Sequence, residues 1–328
     1  MKIFRIVFSL LLIFSGVFTI FFAKNILCDE TVMSPKEYNA VLTVWQIDVF
    51  EGGRGSRRQF ISEVAKSFEK QRTGVFVLVV SHTKQSAEER MEKGEYPDII
   101  SFGPGVNVDN FLKLGEEDYS FGKIGSITYA VPWCRGGYVL IENPSAKNSA
   151  TVVSQSEYTQ PLLSAYFNGL DLGEYKIKTP MDAYMDFVSG TAKYLLGTQR
   201  DVIRLEARGM QARITPLKDF SDLYQYLAVT SRKEYELSVD FVRFLTGNEV
   251  QEKLTRIGMM SAYVLTDYDN ASLREIQEQN ICVSVSPFYG DVAAKEMQEL
   301  SKKIMSGDEV AKNKIKKMLC YLENKNKI

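Results

Sequence analysis

Between Ala40 and Gly103 the chain alternates apolar, β-branched runs with helical segments, and this order constrains the fold more than any other feature. AVLTVWQI (40–47) reads as a strand, and EGGRGS (51–56) breaks it. SRRQFISEVAKSFEKQ then places Phe60, Val64 and Phe68 at i, i+4 and i+8, with Ile61 and Ala65 alongside. That spacing predicts one buried helix face, with Ser56 as its N-cap. VFVLVV is a second strand, dense in β-branched residues. SAEERMEKG reads as a short polar helix ending at Gly94, and Pro97 stops helix formation ahead of a third strand, DIISFG. The order β-α-β-α-β predicts a parallel sheet with crossover helices on its faces.

ITYAVPWCRGGYVLIEN, from Ile127, is a long β-rich stretch. The polar, Ser-rich region Pro144 to Gln160 reads as a loop or lobe boundary. A second alternation follows: a helix MDAYMDFVSG ending at Gly190, a strand TAKYLLG, a helix VIRLEARG and a strand LYQYLAVTS. From Arg232 the chain turns mainly helical, with EYELSVDFVRFLTG, then NEVQEKLTRIG capped by Asn248. Two amphipathic helices, VAAKEMQELSKKIMSG and EVAKNKIKKMLCYLE, complete it. No solenoid repeat is visible.

The 328 residues suffice for one large or two medium domains. Hydrophobic residues make up 45% and charged residues 25%, a globular balance that excludes a disordered, collagen-like or polytopic membrane chain. Lys and Arg number 40 against 41 Asp and Glu, so no basic excess exists to neutralise nucleic-acid phosphates. His82 is the single histidine, which excludes a His-rich metal site and any mechanism that needs two. Cys28, Cys134, Cys282 and Cys320 show no C-x-x-C spacing, and Cys134 and Cys282 read as small buried hydrophobes.

Residues 6–23, IVFSLLLIFSGVFTIFFA, carry no charge and follow Lys2 and Arg5. The length lies between a signal-peptide core and a short spanning helix, and the basic flank predicts export of the remainder. No small-x-small cleavage site is present, and Asn25, Ile26 and Leu27 ahead of Cys28 do not make a lipobox. The segment therefore reads as an uncleaved anchor in preference to a lipid anchor, with cleaved secretion third.

EGGRGSR, Glu51 to Arg57, sits at a strand-to-helix junction where backbone N–H groups can meet ligand oxygens. It is neither a dinucleotide fingerprint nor a P-loop, since Arg58 stands where the third glycine would be and G-K-[ST] is absent. A ligand contact and a plain Gly-rich connection both fit it. GTQRD, Gly197 to Asp201, gathers donors and acceptors at the C-terminal end of a strand, the edge at which open α/β sheets bind ligands. It fits a solvated turn with Asp201 as cap equally well. Trp45 reads as core, whereas Trp133 in VPWCRGG and Tyr289 in SPFYG read as stacking faces for a sugar ring. Ser81-His-Thr-Lys84 matches bare S-x-x-K, but no S-D-N or K-T-G follows, and no nucleophile motif marks an enzyme.

Taken in order, VWQIDVFEGGRGSRRQF, YPDIISFG, AVPWCRGGYVL, GTQRD and SVDFVRFLTGNEVQEKLTRIGMMS resemble the extracellular solute-binding proteins of ABC importers, in the sugar-binding branch. The resemblance covers nearly the whole exported part and implies the type II periplasmic-binding-protein fold, an α/β chain of two lobes joined by a hinge, with no catalysis and no cofactor. It implies a signal or anchor helix at 1–28, a linker at 29–39 and a first lobe from 40–137. The second lobe, at 138–225, is shorter than is usual for the family; a return segment at 226–270 and C-terminal helices at 271–328 follow. The ligand contacts it implies are Glu51, Ser56 and Arg57 from the first loop, and Ser101, Phe102 and Gly103 after the PDI strand. Trp133 and Arg135 would lie by the hinge, Gln199, Arg200 and Asp201 in the second-lobe loop, and Tyr289 late in the chain. The implied partners are a small polar solute, a sugar or oligosaccharide with an acidic sugar among the options, and ABC permease subunits. The reading further expects membrane contact through the N-terminal segment, no nucleic-acid partner, and a monomer tethered to the outer face of the cell membrane or secreted. The alternative is a membrane-anchored surface or sensory module that reuses the fold without transport.

Overall fold

The computed structural model describes residues 39–50, 52–114, 122–278, 283–284 and 286–324. The apolar N-terminal run, Cys28, Glu51 and Cys282 lie outside them, so the anchor, the lipobox reading and the Glu51 contact are expectations about residues not described. The elements below belong to one unit, Ala40–Ile328. Among the described residues no helix is long and apolar enough to cross a membrane.

The first sheet forms as the sequence predicts. β1 (Ala40–Ile47) pairs in parallel with β2 (Val75–His82) on one side and β3 (Ile99–Phe102) on the other, so that Val44 stands opposite both Val79 and Ile99. The crossovers are α1 (Arg57–Gln71) and α2 (Lys84–Glu92). Ser56 caps α1 by accepting from Gln59 N at 3.3 Å. The face carrying Phe60, Ile61, Val64, Ala65 and Phe68 is buried against the sheet. Asp98 fixes the register of β3: its carboxylate accepts from Thr43 N at 2.8 Å and Thr43 Oγ1 at 2.9 Å.

The stretch from Ile127 is not one strand but three. β4 (Lys123–Ile124) and β5 (Ile127–Thr128) form a small hairpin, and β6 (Val131–Arg135) returns to the first sheet. Gly136 and Gly137 then lead into β7 (Tyr138–Glu142) of a second sheet.

The expected loop at Pro144 to Gln160 contains β8 (Thr151–Ser154), all four residues of which are buried. Its polar flanks conceal a central strand. α3 (Pro161–Phe167), β9 (Tyr175–Lys178), α4 (Pro180–Val188), β10 (Tyr194–Thr198), α5 (Gln199–Ala207) and β11 (Arg213–Pro216) follow, giving the order β11-β7-β10-β8-β9. β12 (Phe220–Ser221) carries the chain back to β13 (Tyr224–Val229), which lies antiparallel between β3 and β6.

α6 (Tyr235–Thr246) packs on the first sheet, with Phe241 edge-on to Phe68 at 5.2 Å. The helix expected over NEVQEKLTRIG is only α7 (Asn248–Gln251), followed by a 3₁₀ turn, Glu252–Ile257. Gly247, with ψ of 148°, is its N-cap, and Asn248 is already the first helical residue. The chain crosses to the second sheet again beyond Gly258. α8 (Ala271–Gln277) and β14 (Val283–Ser284) follow, with β14 paired to β12, and then α9 (Asp291–Met305) and α10 (Glu309–Asn324). α9 packs on α3 and on α10. The larger apolar cluster runs unbroken from Phe102 and Trp133 in the first lobe to Val153, Leu162 and Leu196 in the second.

Candidate functional site

Three chain segments pass between the lobes, and the polar residues singled out in the sequence gather around them. On the first-lobe side Arg57 opens α1 and is 3% exposed. Its Nε meets Asp48 Oδ1 at 2.6 Å, Nη1 donates to Gln225 Oε1 at 3.2 Å, and Nη2 donates to the Phe50 carbonyl. The guanidinium also lies 4.4 Å from the Phe50 ring centroid. Gln225 Nε2 donates to the Ile47 carbonyl at 2.8 Å and to Ser101 Oγ at 3.2 Å, and Trp133 Nε1 donates to the same hydroxyl at 2.9 Å. One network thus ties the ends of β1, β3, β6 and β13 and consumes every nitrogen of Arg57.

The glycines of the first loop have a local reason. A Cβ on Gly53 would lie 2.3 Å from the Ile257 carbonyl oxygen, and Arg54 N donates to that oxygen at 3.0 Å. The loop is docked on the return segment. Gly103 is equally confined, since a Cβ there would lie 2.1 Å from Val49 Cγ2.

On the second-lobe side, Thr198 N donates to Asp201 Oδ2 at 3.0 Å, as an N-terminal box should. Gln199 is fully buried; its Oε1 accepts from Gly137 N at 3.0 Å and its Nε2 lies 3.6 Å from Met259 Sδ. It joins the first crossing to the third. Arg135 does the same, donating from Nε to the Ser261 carbonyl at 3.2 Å and from Nη2 to the Gln277 carbonyl. Burial lowers its pKa, an effect that Tyr224 opposes.

Asp222 stands at the centre, on the second crossing and 3% exposed. Tyr138 OH donates to its Oδ1 at 2.7 Å and accepts from Gln160 N at 2.9 Å. Desolvation pushes the Asp222 carboxyl up to about 7, against the opposing hydrogen bond from Tyr138. Tyr226 and Tyr289 are buried nearby; burial raises both phenols well above their usual value, helped at Tyr289 next by Asp222 and at Tyr226 by Tyr224 and Tyr263 ahead of Asp222. Nearer the surface, Lys84 of the first lobe lies 3.6 Å from Asp291 Oδ2 and 4.8 Å from the centroid of the Tyr158 ring. The hydrogen bond from Asn107, and then the charges of Lys84 and Lys295, hold the Asp291 carboxyl low. Two grooves open to solvent border the seam. One of about 470 Å³ is lined by Arg54, Glu206, Arg256 and Asp269, and one of about 270 Å³ by Glu88, Asn107, Phe288 and Tyr289.

Of the expected contacts, Ser56 is exposed and Arg200 half-buried, while Arg57, Ser101, Phe102, Gly103, Trp133, Arg135, Gln199, Asp201 and Tyr289 are all buried in or beside this seam. Trp133 and Phe102 are packed core side chains. Trp133 stacks on Phe60 at 5.9 Å and Phe102 lies against Phe111 at 5.6 Å, so neither presents a free face. Sequence reasoning missed Asp48, Tyr138, Gln160, Asp222 and Gln225. The available signal was a polar residue inside an apolar run, as in FSDLYQYLAV (220–229).

No family model and no curated protein matches the sequence. Solved structures match in fold. The chain is similar to the GacH receptor of Streptomyces glaucescens, solved unliganded and with acarbose, at TM-score 0.59 and 14% identity over 85% of this chain and 98% of that one. It is similar to the sugar-binding protein MalE from Xanthomonas citri, at 0.59 and 13% over 88% and 97%. Iron-bound HitA from Pseudomonas aeruginosa matches at 0.52 and 13% over 80% and 99%. The chain has the two-lobed α/β fold of the type II periplasmic binding proteins, a fold whose ligands range from oligosaccharide analogues to a metal ion.

Proposed function

We propose that this protein is an extracytoplasmic solute-binding protein that delivers a small polar solute, a sugar or oligosaccharide, to an ABC permease. The observation that carries the reading is the seam itself, where polar side chains from both lobes converge on three connecting segments about which the lobes can hinge. Sugar-binding structures among the fold neighbours support it. The first lobe is 40–137 with a return segment from β13 to Gly258, the second is 138–223 with the residues beyond Gly258, and the N-terminal segment tethers the protein outside the cell. Closure around solute is a population shift with no covalent step. Arg200 and Ser56 meet solute from the rim, and of the buried candidates Gln199 and Tyr289 come into reach as the lobes part, whereas Arg57, Phe102 and Trp133 stay engaged within the first lobe.

A thermal-shift screen of the full chain in mild detergent, with neutral, amine-bearing and acidic sugars, tests this. A ligand at 100 times its Kd adds about 2.7 kcal/mol of stability and raises Tm by several degrees. No shift in any class would sink the proposal. A sensory module without transport is the second reading, favoured by one observation: Arg57 is saturated by protein groups.

A further inference from the structure

The Gly-rich first loop holds one side chain that the seam does not use. Gly53 and Gly55 are both pressed on the 3₁₀ turn; a Cβ on Gly55 would lie 2.8 Å from Ile257 Cγ2. Arg54, between them, is fixed at its backbone, while its side chain is exposed in the groove of about 470 Å³ beside the third crossing. Arg256 lines the same groove from the 3₁₀ turn, Glu206 from α5, and Asp267 and Asp269 from the segment before α8. All five charged residues are exposed. Among the described residues none of the five makes an ion pair or a side-chain hydrogen bond. Ile203, Leu273 and Tyr268 add apolar lining and are themselves buried. Tyr268 OH donates to the Met259 carbonyl at 2.6 Å. One wall is therefore tied to Ile257 and the other to Met259, and Gly258, with φ of +67°, lies between the two ties.

Guanidinium groups and carboxylates set around one space, and not spent on each other, can hold both signs of a ligand. The volume is that of a small-molecule site. An anion alone would meet three carboxylates there, and a cation alone two guanidinium groups. We infer that this groove binds a small zwitterion, a free amino acid or short peptide, with its carboxylate on Arg54 and Arg256 and its ammonium among Glu206, Asp267 and Asp269. The apolar lining suits an aliphatic side chain. The bound zwitterion bridges the two walls, so it fixes the backbone at Gly258, where the chain passes to the second lobe. The groove shares no residue with the solute contacts proposed above, and the inference stands apart from the solute-binding reading.

Calorimetry on the full chain in mild detergent tests this with leucine and dileucine. Each is compared with its N-acetyl form, which keeps only the carboxylate, and its amide, which keeps only the ammonium. The zwitterion binds at least about tenfold tighter than either capped form, the contribution of one charge-assisted hydrogen bond. Arg54→Gln combined with Arg256→Gln reduces the zwitterion to the level of its amide and leaves Tm unchanged, because both side chains are exposed and unpaired. Amide exchange at Gly258 slows at saturation, while exchange in β1 does not change. Capped forms that bind as tightly as the zwitterions, or no binding by any of them, would overturn the inference; the sugar screen would still decide the solute-binding reading. Zwitterion binding that survives the double substitution and is lost on Arg200→Ala would place the ligand in the solute seam and overturn the inference too. Binding with unchanged exchange at Gly258 would overturn the tie to the third crossing.

Discussion

Arg57 shows how a residue can be legible in type and misread in role. Its place in EGGRGSR, at the start of a helix behind a Gly-rich loop, marked it as a contact group. In the fold its three nitrogens are taken by Asp48, Phe50 and Gln225. Nothing local reveals this, because Gln225 lies 168 residues away in sequence. Arg57→Ala leaves a buried carbonyl and a buried amide oxygen without donors, and removes the ion pair with half-exposed Asp48. The cost is about 3 kcal/mol of stability, at the lower end for a buried ion pair because Asp48 keeps its water. Arg57→Lys recovers little, since one ammonium on a flexible stem cannot span three acceptors held by a planar fork. Urea unfolding measures both, and a loss below about 0.5 kcal/mol for the alanine variant would show that the network is not holding the first lobe together. Trp133 teaches the same lesson. An aromatic beside Pro and Gly reads as a stacking face, yet its indole N–H has a buried partner in Ser101 and its ring lies on Phe60.

At the scale of elements, the strands and helices with long periodic patterns were legible: β1, α1, β2, α6, α9 and α10. Those that escaped are short and defined by distant partners. β8 is four residues between polar flanks and becomes a strand only because β10 and β9 pair on either side of it. α7 was expected to be longer than it is; the 3₁₀ turn after it ends in Gly258, whose φ of +67° turns the chain toward the second lobe. The contact between α2, the loop before α3 and the start of α9 also joins parts that are far apart in sequence. Tyr158 from that loop packs on Gly105, where a Cβ would lie 2.9 Å from it, and under Lys84, which also meets Asp291. Gln298 of α9 donates to the Thr159 carbonyl at 2.9 Å and braces the same loop. Tyr158→Ala therefore loosens one lobe from the other without unfolding either. Amide exchange at Gly105 and Gly137 speeds by about tenfold, the equivalent of about 1.4 kcal/mol, while exchange in β1 stays at the wild-type rate. Lys84→Ala has a smaller effect in the same direction, because a rim ion pair contributes about 0.2–1 kcal/mol. Unchanged protection at both glycines would remove this contact as a tie between the lobes.

The whole molecule is stitched along one buried polar seam, and Asp222 makes its stability depend on pH in a way that the surface charges do not. A carboxyl raised from 3.8 to about 7 holds its proton in the folded state over a range where the unfolded chain has released it. The folded state then binds more protons than the unfolded one, so stability falls as pH rises. The contribution is fully present below 3.8, declines through the window up to about 7, and is lost above it. The slope within the window is at most about 1.4 kcal/mol per pH unit. Asp291 acts in the opposite sense, since its carboxyl is held low and its contribution is lost on acidification. The two are separated by comparing wild type with Asp222→Asn, which keeps the shape of the side chain and removes its titration. Urea unfolding from pH 4 to pH 8 should show the wild-type protein losing stability relative to the variant as pH rises, with the difference levelling off above pH 7. A difference flat across the range would mean that Asp222 is solvated in the folded protein, and the two lobes would then not be sealed at their centre.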